Sequence, residues 1–257
     1  MKSSTRVGLL RKLGFLALFL LLWQIAVSLR LWSPLLLPAP AQVAESLVGG
    51  MRDLSLPLAV GASLTRMLVG YGLAIAIGLP LGLAVSRVDL LKDTVGALAV
   101  GLQTLPSICW LPLALLWFGL SERAIIFVVV MGATFCILTS VNDGLRNVPP
   151  TLIKAGRTLG ARGLTLDWRV VLPAALPALV TGLKLGWSFA WRSLMAGELL
   201  YSERGLGRVL TLGRDLGDMA QVVAAIFVIL VLGLVVSQYV FVPVERTLAR
   251  RWGLLPE

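Results

Sequence analysis

Hydrophobic residues fall into six long runs that short polar segments separate. The runs cover residues 13–29, 58–86, 95–118, 123–142, 173–200 and 220–242. A helix needs about 20 mainly apolar residues to cross the hydrocarbon core of a bilayer, and these runs are near that length or longer. The pattern therefore predicts an all-α polytopic membrane protein with about six transmembrane helices.

The composition agrees with a membrane environment. Of the 257 residues, 58% are apolar and 14% are charged, and the mean hydropathy is +0.90. Soluble domains are nearer half apolar and a quarter charged. One soluble core of this length could not bury the additional apolar surface.

The first run has two interpretations, a signal peptide or an uncleaved span. Cations precede it, and Ala39-Pro40-Ala41 has the small residues of a cleavage site. The apolar region of a signal peptide is about 7–15 residues long, however, and this tripeptide lies far beyond the run. We therefore expect an uncleaved first span.

The cations between the runs predict the orientation of the chain. The N-terminus, 87–94, 143–172 and the C-terminus carry fourteen Lys and Arg residues, whereas the segments on the other side carry six. Cytoplasmic segments are enriched in Lys and Arg, so both termini are expected in the cytoplasm. The net charge of +10 has the same explanation, and no nucleic-acid partner is expected because the basic residues do not form a soluble face with interleaved aromatics.

These boundaries divide the chain into four parts. They are a cytoplasmic N-terminal segment (1–12), a first helix with an outer loop (13–57), a five-helix core (58–242) that includes a cytoplasmic loop (143–172), and a cytoplasmic tail (243–257).

Catalytic and metal chemistry have little support in this sequence. It contains no histidine, which excludes Ser-His, Cys-His and His-metal sites. Cys109 and Cys136 both lie inside apolar runs, as small hydrophobic residues do. We expect a chain that catalyses no reaction and binds no metal or cofactor of its own.

The third run contains two prolines, Pro106 and Pro112. Proline removes a backbone donor, and freed backbone groups in a membrane must be buried in protein or face a water-filled cavity. This span is either a kinked packing helix or a helix that lines a substrate pathway. In the second case its polar groups are Gln103, Thr104 and Ser107.

Two cations lie within the fifth run, Lys184 and Arg192. Charged groups inside a membrane are costly and tend to be functional. Eight residues of helix place the two about 80° apart, so they could share a broad face and suit a small oxyanion. Alternatively, the long side chain of Lys184 extends toward the cytoplasmic surface.

Arg66 and Glu198 lie near the outer ends of antiparallel spans. A pair between them would offset part of the cost of burying each charge. The alternative is that each side chain reaches water separately.

The longest cytoplasmic segment predicts a two-helix elbow. Pro149-Pro150 fits a helix start, an apolar stripe follows, and Gly160 fits a helix end. A second short helix is expected near 164–171, with Pro173 opening the fifth span. An amphipathic element of this kind lies at the lipid interface or in the groove of a partner protein.

This loop resembles the cytoplasmic signature of ABC importer permeases, E-A-A, three residues, Gly, nine residues, I-x-L-P. Lys154-Ala155-Gly156 occupies the first position, Gly160 the second, and Val170 to Pro173 the last. Lysine replaces the glutamate and glycine replaces the second alanine, which implies an altered charge match with the partner.

Further segments, over about residues 36–250, resemble the nitrate, taurine and aliphatic-sulfonate branch of these permeases. They are Pro38-Ala39-Pro40 with the following QVAESL, Ser63 to Arg66 with Gly70, Gln103 to Pro106, Leu111 to Gly119, Gly182 to Lys184, Ala190-Trp191, Glu198, and Gly205 to Gly207.

The resemblance implies a multi-pass protein of the bacterial inner membrane. Its partners would be two ABC ATPase subunits, an extracytoplasmic solute-binding protein and a second permease copy, within membrane lipid. ATP and Mg would be bound by the ATPase, since no lysine here follows a glycine as a Walker A motif requires.

The residues implied in coupling to the ATPase are Lys154, Ala155, Gly156, Arg157, Leu159, Gly160, Leu172 and Pro173. The second hypothesis is an ATP-independent carrier or channel for small anions, which explains the spans but not the spacing of the elbow.

Overall fold

The computed structural model describes residues 2–33 and 35–251, with side chains at 11, 14–33, 35–248 and 250. The side chains of Lys2, Arg6 and Lys12 and the last part of the predicted tail, 252–257, lie outside the described residues. The described chain is mostly helical and contains no strand.

Ten helices follow one another along the described chain. They are α1 (Lys2–Ser28), α2 (Pro40–Arg52), α3 (Ser55–Arg87), α4 (Asp89–Gln103), α5 (Ser107–Phe118), α6 (Glu122–Arg146), α7 (Pro150–Thr158), α8 (Leu164–Leu200), α9 (Leu206–Leu216) and α10 (Met219–Leu248).

Four of these helices, α3, α6, α8 and α10, are long and apolar enough to cross a membrane, and α4 with α5 passes the same test as a bent pair. The apolar part of α1, Gly14–Ser28, is shorter. The apolar pattern thus predicted the order of the helices, and the structure differs from it most at the third, fifth and sixth spans.

The third predicted span, 95–118, is broken rather than continuous. Its halves α4 and α5 meet at an angle of 107°. The residue before a proline is disfavoured in helical conformation, and the helix ends at Gln103, just ahead of Leu105-Pro106. The kink predicted from the prolines is therefore a full interruption.

The fifth span begins at Leu164, so residues 164–171 are not a separate short helix. A π turn at Asp167–Val171 leads directly into the helix that contains Pro173. π turns of this kind occur as single-turn bulges inside longer α-helices. At the other end of the fold, α10 continues to Leu248, beyond the predicted end at 242.

Helix α6 is the centre of the bundle, because glycines on both neighbouring helices allow close approach. A Cβ atom at Gly78 of α3 would lie 2.9 Å from the carbonyl oxygen of Thr134, and one at Gly186 of α8 would lie 2.6 Å from Cγ1 of Ile137. Small residues at helix contacts are a common packing solution in membranes.

Specific side-chain contacts help to fix α1 and α10. Trp23 of α1 donates a hydrogen bond to the Pro38 carbonyl (3.1 Å) and stacks on Phe227 of α10. Helix α10 starts where the Asp218 carboxylate accepts a hydrogen bond from the Gln221 N–H (3.0 Å), a normal N-cap. The outward faces of these helices expose large apolar side chains, as lipid-facing surfaces do.

Candidate functional site

A cavity of about 320 Å³ lies at the break between α4 and α5. Four of the five residues that the sequence assigned to a pathway line it, namely Gln103, Thr104 and Ser107 at the break and Arg192 from α8. Lys184 does not line this cavity, which we call the break cavity.

Two local features define the walls of the break cavity. Thr104 donates its hydroxyl proton to the Gly101 carbonyl (2.7 Å), which satisfies one carbonyl at the interrupted helix end. On the opposite wall, a Cβ atom at Gly132 would lie only 1.9 Å from Oγ of the fully buried Ser193. Any larger residue at 132 would force α6 and α8 apart there.

Arg192 is the one cation among the residues that line this cavity. Its guanidinium lies 4.4 Å from the centroid of the Phe189 ring, and its Nε donates to the Ser188 carbonyl (3.2 Å). Within the described part of the chain it forms no ion pair. Its terminal nitrogens are thus available for an anion, to which guanidinium groups bind through paired hydrogen bonds.

Lys184 lies away from the break cavity and forms an ion pair. Its Nζ lies 2.8 Å from Oε2 of Glu245 on α10, and both side chains are half-buried. A separate cavity of about 250 Å³ is lined by both Lys184 and Arg192, so the two cations do share a face. The charge of Lys184, however, is paired, because α10 extends past the predicted end of the sixth span and brings Glu245 beside it.

Arg66 and Glu198, which the sequence paired by hypothesis, lie together in a buried polar cluster. Arg66 Nη1 is 2.8 Å from Glu198 Oε1, and Nη2 is 2.8 Å from Glu122 Oε1. Arg66 also donates to Oγ of Ser202 (3.1 Å) and to the carbonyl of Arg204. One guanidinium thus joins α3, α6, α8 and the segment that leads into α9.

Glu198 is equally well surrounded and is 1% exposed. Ser63 Oγ lies 2.8 Å from its carboxylate, and the Gly207 N–H donates to Oε2 (2.9 Å). Ser63 in turn accepts from the Leu206 N–H (2.9 Å). Gly205 has φ +133° and packs against the carboxylate, where a Cβ atom would lie 2.6 Å from Oε2.

Sequence reasoning missed three side chains of this cluster, Ser63, Glu122 and Ser202. Ser63 lies three residues before Arg66, and residues three apart on a helix are neighbours, so its position was a usable signal. Glu122 is the first residue of α6, and only the packing of α6 against α3 shows that it reaches Arg66.

The predicted elbow contains α7, which begins at Pro150 as expected. Its outer surface is exposed and carries Lys154, Ala155, Arg157 and Leu159. Gly160 follows with φ +86°, a left-handed conformation that favours glycine.

The inner side of α7 packs on the start of α8. A Cβ atom at Gly156 would lie 2.9 Å from both Leu166 Cδ1 and Val170 Cγ2. Leu172 and Pro173, the last predicted residues of this set, are half-buried inside α8. The contact therefore links α7 to the helix that carries Arg192.

Ion pairs tie the elbow to the rest of this end of the molecule. Arg87 at the end of α3 lies 2.7 Å from Asp167 at the start of α8, and Arg146 at the end of α6 lies 3.8 Å from Asp89. Among the described residues, no group of three or more His, Cys, Asp or Glu side chains could hold a metal ion.

Comparison with known proteins gives a consistent result. Residues 70–245 match the family described as binding-protein-dependent transport system inner membrane component. The chain is 34% identical over 200 residues to the taurine transport system permease protein of Escherichia coli K12, which covers 76% of this chain and 73% of the relative. It is 27% identical over 234 residues to a nitrate import permease protein of Synechocystis, with 88% and 84% covered.

Among solved structures, the methionine ABC transporter MetNI in an inward-facing conformation is similar in fold. The TM-score is 0.65 at 23% sequence identity, and the match covers 77% of this chain and 97% of that chain. The similarity confirms the predicted all-α membrane fold.

Proposed function

The chain belongs to the family of binding-protein-dependent transport system inner membrane components, and on this premise we propose that it carries a small anion into the cell as the permease of an ATP-driven importer. Relatives that carry this family's fold are named for taurine and nitrate transport. Taurine and nitrate share an oxyanion group, and we assign the same chemical class to the solute here.

The observation that carries the proposal is the position of α7. It presents Lys154, Arg157 and Leu159 on an exposed surface, and its Gly156 packs directly on the helix that lines the break cavity. A partner that pushes on α7 would therefore move α8 and its Arg192. Such a linkage is what a subunit without its own nucleotide site requires.

The transport step follows from the same geometry. Arg192 supplies a positive charge in a partly apolar cavity, where an anion gains more from the charge than it would in water. Closure and reopening of the two membrane faces, by alternating access, would then carry the anion inward. This chain breaks and forms no covalent bond in that cycle.

The complete assembly would contain two ABC ATPase subunits, which bind ATP and Mg, a second permease copy and an extracytoplasmic solute-binding protein. The chain would lie in the inner membrane with both termini in the cytoplasm. In that orientation α7 faces the ATPase and the Arg66–Glu198 cluster faces the binding protein.

Co-purification with the cognate ATPase tests the proposal. The wild-type chain should retain the ATPase through affinity purification, whereas the double variant Lys154→Asp, Arg157→Asp should lose it because the charge of the α7 surface is reversed. The control is Arg123→Asp, at the opposite end of α6. An ATP-independent carrier or channel would retain no ATPase in any of the three forms.

A further inference from the structure

A second cavity, of about 400 Å³, lies next to the break cavity between α4 and α6. Its polar lining residues are Lys92, Asp93, Thr139, Asn142 and Asp143. We call it the inner cavity, since it lies nearer the Arg146 end of α6. The step along α6 from Phe135 in the break cavity to Asn142 in the inner cavity is about 10 Å on the helix rise.

The two cavities occupy one continuous seam. On α4, the inner cavity is lined by Asp93, Ala97 and Val100, and the same stripe continues at helical spacing to Gln103, which lines the break cavity. A solute that left the break cavity along this seam would enter the inner cavity next.

Among the described residues, one side-chain hydrogen bond crosses the seam between the cavities. Thr139, which lines the inner cavity, lies with Oγ1 2.9 Å from Oε1 of Gln103, which lines the break cavity. The same hydroxyl lies 3.0 Å from the Phe135 carbonyl and 3.1 Å from the Cys136 carbonyl. A hydroxyl has one proton to donate. Rotation of the Thr139 side chain about one bond therefore moves this hydrogen bond from Gln103 to a carbonyl of α6, and the hydroxyl still has an acceptor.

The two sides of this bond differ in charge. The break cavity contains the Arg192 guanidinium, whereas the inner cavity contains the carboxylates of Asp93 and Asp143 with the ammonium of Lys92. The Asn142 Oδ1 atom is buried there without a hydrogen-bond partner among the described residues. An anion is therefore attracted to the break cavity. In the inner cavity it meets an excess of hydrogen-bond acceptors and negative charge.

We propose that the hydrogen bond between Thr139 and Gln103 is the inner gate of the solute path, which separates an anion-binding cavity from an exit cavity that disfavours anions. The inference rests on the proposed function and adds the residues that control release. The gate opens at small cost because the Thr139 hydroxyl has alternative acceptors, and the charge of the exit cavity makes return of the anion unfavourable.

The test uses a cysteine in the exit cavity and an anionic probe. Val100→Cys is introduced into a chain in which Cys109 and Cys136 are replaced by serine, and the assembled transporter is exposed in oriented vesicles to 2-sulfonatoethyl methanethiosulfonate, a membrane-impermeant sulfonate. With the gate intact, labelling should occur from the cytoplasmic face only. That labelling also shows that the site is folded and reactive.

Removal of the gate bond should admit the probe from the outer face. Thr139→Val keeps the side-chain shape and Gln103→Leu removes the other partner, and each should raise outer labelling at least about fivefold, the effect expected from loss of one ordinary hydrogen bond. Thr134→Val is the matched control, because the Thr134 hydroxyl bonds only to the Val130 carbonyl of its own helix.

Two results would overturn the gate. One is outer labelling that is as slow in both variants as in the parent, and the other is fast outer labelling in the parent itself. If only the gate is wrong, the parent still shows ATP-driven uptake. Absence of that uptake in the parent would instead contradict the proposed function.

Discussion

Arg66 and Arg192 are both arginines within apolar stretches of the sequence, yet their surroundings in the structure differ. Both lie within apolar helices, α3 and α8. Arg66 is 3% exposed and contacts two carboxylates, a hydroxyl and a carbonyl. Arg192 is exposed to a cavity, and its only contacts of this kind in the described chain are the Phe189 ring and one carbonyl of its own helix.

The difference teaches that a charge inside a membrane protein has two distinct uses. Where partners on several helices satisfy a buried charge, its removal destabilises the fold. Where a cavity leaves the charge unpaired, its removal should affect the ligand and spare the fold. Variants of the partners and of the two arginines should therefore separate stability from transport.

The largest effect is expected for Glu198→Gln. It leaves the Arg66 charge buried without its main partner, and breaking a buried ion pair costs about 3–5 kcal/mol. Thermal unfolding in detergent, followed by size-exclusion chromatography, should show a large loss of folded protein. Glu122→Gln is the control, because Glu122 itself is 71% exposed and its removal leaves the buried Arg66 paired with Glu198. Equal losses in the two variants would contradict the structural role of the buried pair.

The second effect is on transport. Arg192→Gln should lower solute uptake about tenfold or more while thermal stability stays unchanged, because a hydrogen bond to a charged group contributes about 1.5–3 kcal/mol. Arg192→Lys should recover part of the uptake, since it keeps the charge but not the paired geometry. Arg123→Gln is the control at an exposed arginine. Normal uptake by Arg192→Gln would remove this residue from the pathway.

The third effect concerns the contact between α7 and α8 and involves neither arginine. Gly156→Leu places atoms where Leu166 and Val170 now lie, so α7 should shift away from α8. Uptake should fall severalfold while the ATPase continues to hydrolyse ATP. The ratio of ATP hydrolysed to solute transported, which is the quantity measured, should therefore rise. Gly72→Leu is the matched control, because a Cβ atom at Gly72 would meet nothing within 4 Å. An unchanged ratio in Gly156→Leu would show that this contact does not transmit motion.

The smallest effect is expected at an intermediate case, the ion pair of Lys184 and Glu245. Both side chains are partly exposed, 31% and 27%, and exposed pairs contribute at most about 1 kcal/mol. Glu245→Gln should therefore change the unfolding temperature only slightly. Uptake should stay within about twofold of the wild-type rate. A loss of folded protein as large as that of Glu198→Gln would show that partial exposure does not weaken the pair.

The sequence predicted the helical class and the first helix of the elbow because hydrophobic periodicity and proline positions act locally. Pro150 begins α7, and the apolar runs fall on helices except at the break within the third run. The interruption at Leu105-Pro106 was only partly predictable, since a proline in a membrane helix is compatible with either a kink or a break. Which of the two occurs depends on the helices that cover the freed backbone groups.

Other features of the site could not be derived from local patterns. Pro173 was interpreted as a helix start because a π turn leaves no sequence signature that we recognised. The partner of Lys184 was missed since Pro243 was expected to follow the last span, whereas α10 continues through it to Glu245. The Gln103–Thr139 contact joins residues 36 apart in sequence, and only the packing of α4 on α6 brings them together.

ATP-driven uptake in proteoliposomes is the most direct measurement of what this chain does. The purified permease, its ATPase and the solute-binding protein are reconstituted, and accumulation of labelled taurine or nitrate is followed with ATP at the ATPase face. We predict concentrative uptake that disappears when the ATPase is inactivated in its Walker A lysine. Equal uptake with the inactive ATPase, or with none, would contradict the assignment of this chain as an ATP-driven permease.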